Sequence, residues 1–573
     1  MRPGLVSGFA VLCCAGSAAA QTAPPLNPAD PTQALPDAVA PSSPLDSSAV
    51  QRTPAASAPA ATPPAAPSFV LQDVQFEGAA ALSPSELAPA WQSYRGRAVT
   101  LRDLRVIAAA GERLYAAAGH PFVAFIVPAQ DVSGGRVRIR VVEGHISDLT
   151  VVAKDPVARR QAAAAFGGLI GRDPLDADDV ERAYDLAQEV PGLALAGSLR
   201  PGSQAGGMDL VVRADRRPWR FYANVNNFYP DPVGPWGVML GAEYNGPSRY
   251  GDQTTLQLFT TTDISEQQVV RFSHARRLNA GGTTITGAIL YADADPKGAV
   301  APLDLATKVV AARLEVSQPL VVRRAFSATA ALALDWTDQN TRVFSSVDLT
   351  EDHVRVLDAR VSGRVGPAAQ PFANYAVELR QGVAALGASR AGDADLSRLG
   401  ADPQATVIKG DASGELAGKA PISLAWRVEG QWTDDSLTAP EEYIVGNLTT
   451  GRGYEPGASF GDRAIALSAE ARLKPFHSGG ALSLQPYAFV DAVKVWNEEP
   501  GAPNDRWVAS VGGGVRIELK SQARFDIFYA QPLDAPLGLG EHKPGGGVYV
   551  NLTAAIPDIF HTLGAGMRRT VRP

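Results

Sequence analysis

The chain has 573 residues, of which 19% are charged, with a formal net charge of −7 and a mean hydropathy close to zero. That acidic balance gives no reason to expect a nucleic-acid partner. Beyond the first twenty residues no apolar run approaches the roughly eighteen residues of a helical membrane span, which leaves a β-rich exported protein or a barrel that crosses the outer membrane with strands.

Residues 1–20, "MRPGLVSGFAVLCCAGSAAA", read as a secretory signal peptide. Arg2 supplies the positive start, Leu5 to Cys14 the short apolar core, and Ala18, Ala19 and Ala20 the small-residue cleavage site before Gln21. Lipidation at Cys13 or Cys14 is disfavoured by the bulk of Leu12. Both cysteines of the chain lie here, so the mature protein is expected to have no disulfide and no thiolate metal site. Residues 21–67 are dominated by Ala, Pro and Ser, as in "RTPAASAPAATPPAAP". This composition predicts an extended, polyproline-biased linker, and the segment shows no helical apolar period.

Residues 68–145 predict a small α/β unit. "FVLQDVQFEG" reads as a strand. "SPSELAPAW" starts with Ser83 as N-cap and Glu86 at the capping-box spacing. "TLRDLRVIAAAGERLYAAAG" places Leu101, Leu104, Ile107 and Leu114 at helical spacing and stops at Gly119. The strands "PFVAFIVP" and "RVRIRVVEG" complete a β-α-α-β-β order. Residues 146–216 repeat it more loosely, with strand "ISDLTVV", helices "VARRQAAAAFGGL" and "DADDVERAYDLAQEV", and strands "LALAGSLRPG" and "GMDLVVRAD". Two tandem copies of one supersecondary unit suggest a modular binding region.

From residue 217 to 557 the period changes to two. In "VMLGAEYN", Val238, Leu240, Ala242 and Tyr244 share one face. "IALSAEARL" sets Ile465, Leu467, Ala469 and Leu473 against Ser468, Glu470 and Arg472. "WVASVGGGVRIEL" alternates in the same way. A soluble sandwich also alternates, but here about sixteen such segments reach about ten residues, the length that crosses a bilayer at a tilt. Short joins such as "LNAGG" alternate with long ones such as Asp434 to Asp462. The expected fold is therefore two tandem β-α-α-β-β units followed by an all-β transmembrane barrel of about 16 antiparallel strands. Residues 558–573 form a C-terminal tail of unassigned use.

One long join carries "TTGRGYEPG", with Arg452 between Gly451 and Gly453 and Tyr454 after them. In "LSLQPYAFVDAVKVW", alternation puts Leu482, Leu484, Ala488 and Val490 outside, and Ser483, Gln485, Tyr487, Phe489 and Asp491 inside. If the loop folds inward, Arg452 reaches Asp491, and a guanidinium and a carboxylate then form two parallel charge-assisted bonds. Pattern alone leaves the other arrangement open, an Asp491 solvated by pore water and an unrelated loop arginine.

These residues carry a resemblance. From about Phe69 to Ile556 the chain resembles the two-partner secretion transporters, the hemolysin secretion/activation family of barrels with POTRA domains. "GRGYEPG" is similar to the family's loop motif Val-Arg-Gly-Tyr/Phe, with Arg452, Gly453 and Tyr454 matching and Gly451 in place of Val. "FVDAVKVW" is similar to Phe-x-Asp-x-Gly, with Phe489 and Asp491 matching and Val493 in place of Gly. "RVRIRVVEG" resembles the last strand of a first POTRA domain. The resemblance implies contact between Arg452 and Asp491. It also implies an outer-membrane transporter of a Gram-negative bacterium whose periplasmic POTRA domains capture an unfolded partner, a large exoprotein of cytolysin or adhesin class. The partners are then that exoprotein and outer-membrane lipid, with no nucleic acid.

Two alternatives are an assembly factor for other outer-membrane proteins, disfavoured by only two POTRA-like units, and a passive porin, which needs none. An enzyme is not expected, since the chain has no H-E-x-x-H or G-x-x-x-x-G-K-[ST] motif and no G-x-S-x-G elbow, the string "GASFG" at 457–461 standing between expected β-strands and not at a strand-to-helix turn. No cofactor or metal is expected.

Overall fold

The computed structural model describes residues 68–556, apart from 205, 324, 345, 367–371, 479–481, 499–504, 520–522 and 537–542, together with the backbone of 51–52. The expected signal peptide, most of the expected linker and the expected C-terminal tail lie outside the described residues. The chain divides into two compact units, one holding the tandem α/β modules and the other the barrel.

The first module contains strands β1 (Asp73–Glu77), β2 (Val123–Ile126) and β3 (Arg136–Glu143), with helices α1 (Pro84–Leu87) and α2 (Leu101–Ala117). The second contains β4 (His145–Val152), α3 (Pro156–Phe166), α4 (Ala177–Gln188), β5 (Leu193–Pro201) and β6 (Gly207–Arg216). Both sheets have the same order, with the last strand central, the first strand parallel to it and the middle one antiparallel. Alternation in β3 buries Val137, Ile139 and Val141 beneath α2. Within the linker region, Gln51 and Arg52 pair in parallel with Ser198 and Leu199 of β5, so those two residues take strand geometry where a polyproline-type linker is expected.

The helix starts follow the sequence. Ser83 and Glu86 form both bonds of a capping box, as do Thr100 and Asp103. The Thr100 backbone N–H and hydroxyl hold the Asp103 carboxyl below its usual range. Two expectations need correction. The strand expected over "FVLQDVQFEG" breaks after Val70, because the backbone of Leu71 bonds Gly96 and Arg97 instead of the central strand. Leu101 is exposed, since the first residue after the Thr100 cap precedes the buried face of Leu104, Ile107, Ala108, Gly111 and Tyr115.

Glu143 closes the first module. Its Oε1 accepts from Tyr115 Oη at 2.7 Å and from the backbone N–H groups of Ala80 and Ala81 at 2.8 Å. Burial, with this carboxylate beside it, raises the Tyr115 phenol above its ordinary pKa. Tyr115→Phe removes one hydrogen bond to a charged acceptor and is expected to cost about 1.5–3 kcal/mol of module stability. Thermal loss of the helical circular dichroism signal of the full chain in detergent reads this, because every described helix of eight residues or more lies in these modules.

In the other unit, sixteen antiparallel strands close into a barrel among the described residues. In chain order they are β7 (Trp219–Asn226), β8 (Gly237–Asn245), β9 (Asp252–Thr261), β10 (Gln267–Arg277), β11 (Thr284–Ala294), β12 (Ala306–Arg323), β13 (Phe326–Val343) and β14 (Val347–Val365), then β15 (Phe372–Gly382), β16 (Thr406–Leu416), β17 (Ile422–Trp432), β18 (Arg463–Leu473), β19 (Leu482–Trp496), β20 (Asp505–Leu519), β21 (Ala523–Pro532) and β22 (Gly547–Ile556). A short piece, Phe476–Ser478, extends β18 along β19. The break between them contains Pro475, which has no N–H for the ladder. Each strand pairs with its neighbour in sequence, and β7 closes on β22 from Phe221↔Ile556 to Asn226↔Asn551.

The outer face is apolar, with Leu332 67%, Ile289 58% and Leu314 54% exposed, as lipid contact requires. Aromatic residues mark both ends, with Trp219, Phe326 and Phe476 at one and Trp432 and Trp507 at the other, the arrangement of interfacial girdles. Joins at the end where β7 begins are short, as at 246–251 and 278–283. Joins at the opposite rim include 383–405 and 433–462. The lumen side carries the polar residues of the alternation, including Glu243, Glu470 and Asp491.

Candidate functional site

The 433–462 loop folds into the lumen. Its two limbs pair as a small antiparallel ribbon, Tyr443–Val445 with Ser459–Gly461. Beyond the ribbon the tip is held by local bonds. Asn447 Oδ1 accepts from the N–H groups of Thr449 and Thr450 at 2.7 Å, Tyr454 N–H donates to Gly451 O at 3.1 Å, and Gly457 N–H to Val445 O at 3.1 Å. Gly451 and Gly453 have φ of +66° and +96°, a left-handed backbone that costs other residues about 1–2 kcal/mol. The tip is therefore a fixed turn.

Arg452 is 4% exposed and its guanidinium meets side chains of the barrel wall. Nε donates to Asp491 Oδ2 at 2.9 Å, Nη2 to Asp491 Oδ1 at 2.8 Å, and the Arg452 backbone N–H to Asp491 Oδ2 at 3.0 Å. Nη1 donates to Glu470 Oε2 at 2.7 Å and Nη2 to Ser468 Oγ at 3.0 Å. The Phe489 ring supports the cation from below, with Cζ 3.6 Å from the ring centroid. Tyr454 is fully buried. Its hydroxyl donates to Ala509 O at 2.8 Å and accepts from Asp534 N–H at 3.1 Å. The structure thus brings together Gly451, Arg452, Gly453, Tyr454, Phe489 and Asp491.

Gly451 and Val493, the two departures from the family motifs, face each other. A Cβ built on Gly451 would lie 3.4 Å from Val445 Cγ1 and 3.6 Å from Val493 Cγ2. The Val493 side chain, 1% exposed, fills space that a glycine there would leave empty. Gly451→Ala is expected to loosen the tip by about 1–2 kcal/mol through φ alone. Faster cleavage of the loop by external protease on whole cells would register that loosening.

A family model described as "Haemolysin secretion/activation protein ShlB/FhaC/HecB" matches residues 206–517, and one described as "POTRA domain, ShlB-type" matches 69–144. The chain belongs to this family. It is an outer-membrane transporter of two-partner secretion, with its POTRA region in the periplasm. The transporter is 19% identical to the heme/hemopexin transporter protein HuxB of Haemophilus influenzae, over 78% of this chain and 80% of that one. It is 21% identical to the outer membrane transporter CdiB-2 of Burkholderia pseudomallei strain 1026b, over 81% and 80%. Its fold is similar to CdiB from Escherichia coli, with a TM-score of 0.71 at 16% identity over 88% of this chain and 93% of that one. CdiB from Acinetobacter baumannii follows with a TM-score of 0.63 at 14% identity, over 89% and 95%.

Sequence reasoning missed Glu470 as a partner of the tip. The alternation in "IALSAEARL" places it on the lumen face, but the contact depends on the register that sets Glu470 beside Phe489 and Ser468 beside Asp491. Glu470 also joins two wall arginines. Arg472 Nε donates to Oε1 at 2.6 Å and Arg516 Nη2 to Oε2 at 3.0 Å, with Arg516 Nη1 also on Oε1. Arg516 continues to Asp526 at 3.1 Å, and Arg472 to Glu415 at 3.0 Å. A second missed cluster grips the loop higher up. Arg380 of β15 holds both carboxylate oxygens of Glu441, at 3.0 and 2.8 Å, while its Nη1 bonds Asp335 and Glu378 at 2.9 Å.

Proposed function

We propose that the inward 433–462 loop is the lid of the transport path, and that Arg452 on Asp491 holds it in the resting position. The observation that carries this reading is a buried guanidinium from the loop tip with its Asp491 partner on the barrel wall. The POTRA modules would present an edge strand to the N-terminal region of an unfolded partner. The outer edge of β2 has no strand partner among the described residues, and strand addition takes main-chain affinity with little sequence demand. The partner, an exoprotein of cytolysin or adhesin class, would then thread the polar lumen. Its folding outside would supply direction, and the chain itself would perform no enzymatic step.

Conduction through the lumen, and not through a parted wall, is supported by the β7–β22 seam. Asn224 Nδ2 donates to Asn551 Oδ1 at 2.7 Å and to Thr553 Oγ1 at 2.8 Å, and Asn227 Oδ1 accepts from Val550 N–H at 2.6 Å. These side-chain bonds reinforce the short ladder there. The test compares culture supernatants and outer-membrane fractions of wild-type and deletion strains by mass spectrometry. One large protein is expected to vanish from the deletion supernatant while other barrels stay constant. A general fall of outer-membrane proteins would instead support an assembly factor.

A further inference from the structure

The loop is gripped at its neck by a second arginine that neither sequence motif includes. Arg398 comes from the 383–405 loop and is 4% exposed. Its Nη1 lies 2.5 Å from Asp462 Oδ1, at the end of the loop's return limb, and its Nη2 3.2 Å from Asp462 Oδ2. On the outgoing limb, Nη1 reaches Leu437 O at 2.8 Å and Glu442 Oε1 at 3.2 Å. Asp462 is fully buried and is itself tied by the N–H groups of Leu437 at 2.7 Å and Glu498 at 2.6 Å. The composition repeats that of the tip: one buried arginine, one fully buried aspartate held by the fork, and one glutamate. The groups are all different, and no hydrogen bond or ion pair described joins the two clusters directly.

We propose that Arg398 is a positioning residue forming a second lock on the lid, one that clasps the loop's two limbs to each other and to the neighbouring outer loop. This rests on the reading of the loop as lid. Release of the Arg452 tip from Asp491 leaves the loop tethered at its neck, and the lumen opens fully only when the clasp also yields. With no shared partner among the described bonds, the two locks contribute independently to the closed state: their free energies add, so the fold-changes in the open-to-closed ratio multiply when both are lost.

The test is single-channel conductance of the purified full chain in planar bilayers, which needs no cargo and is therefore independent of whether the secretion reading holds. Arg398→Ala is expected to stay near the wild-type open fraction and Arg452→Ala to flicker. The double variant is expected to have an open-to-closed ratio about tenfold above that of Arg452→Ala, the fold-change that loss of about 1.4 kcal/mol of clasp produces by itself. A double variant no more open than Arg452→Ala overturns the proposal. Arg398→Lys keeps the charge without the fork and replaces Arg398→Ala if the latter fails to insert, with the same criterion. A reducible tether gives a second arm. Ser397 Oγ accepts from Ala439 N–H at 2.9 Å, and the chain beyond residue 14 has no cysteine. Ser397→Cys with Ala439→Cys, added to the double variant, is expected to close the channel when oxidised and reopen it on reduction. A channel indifferent to reductant, with the disulfide shown to form, also counts against the clasp.

Discussion

Arg452→Ala is expected to remove most of the partner from the supernatant while leaving the amount of folded barrel in the outer membrane close to wild type. The asymmetry follows from what the arginine touches. Its bonds go to Asp491, Glu470 and Ser468, and it comes from a loop, not from a strand of the wall. Glu470 keeps Arg472 and Arg516 when Arg452 is gone. The Asp491 carboxylate loses both guanidinium bonds and keeps only the backbone N–H of residue 452 while the tip stays in place, but the same truncation frees the tip to leave, and lumen water can then reach the carboxylate. Breaking a buried pair by removing one partner costs about 3–5 kcal/mol, and less in a wet lumen. Taken at about 3 kcal/mol, the locked-to-released ratio falls about a hundredfold, so the resting position ceases to be defined. Heat-modifiable migration on gels reports the folded barrel, and supernatant proteomics the cargo. An equal fall in both would assign Arg452 to barrel assembly and remove it from gating.

The fold was legible because its determinants are local. Period-two alternation depends only on the pleat, so the lumen placement of Glu470 and Asp491 can be read from their own strands. Capping boxes likewise need only the spacing of Ser83 with Glu86. The site was legible in part. Arg452, Phe489 and Asp491 stand out because a glycine-flanked arginine and an inward aspartate follow one another in a recognisable order. Glu470 does not, because an inward glutamate in a barrel is ordinary and only register tells which arginine it meets. Arg380, Arg398, Glu441 and Asp462 are harder still. Their contacts join loop to wall and loop to loop, and no period in the sequence encodes how an irregular segment folds back. Leu71 failed for a related reason: its side chain fits a strand, but the partner of its backbone lies beyond α1.

The two carboxylates that meet Arg452 are expected to behave differently when removed. The Asp491 carboxylate accepts three described hydrogen bonds, all from Arg452, and none from the wall. It is a dedicated receptor for the tip. Asp491→Ala is therefore expected to reproduce Arg452→Ala, with secretion lost and the barrel retained, and the double variant to be no worse than either single one. Glu470 has two employments. It neutralises Arg452 of the loop and also Arg472 and Arg516 of the wall. In Glu470→Ala each arginine keeps one carboxylate, Asp491, Glu415 and Asp526 respectively, but three guanidiniums then crowd a lumen patch that has lost its shared counter-charge. The cost, about 3–5 kcal/mol for a buried network that loses a partner, falls largely on the β18–β20 wall whether the loop is in or out. Glu470→Ala is thus expected to lower the temperature at which the barrel unfolds in detergent, and Arg452→Ala combined with it to lower secretion no further. Asp491→Ala should leave that temperature nearly unchanged. A barrel as stable without Glu470 as with it would mean that Arg472 and Arg516 are satisfied by Glu415 and Asp526 alone, and would make Glu470 a second receptor for the tip with no part in the wall.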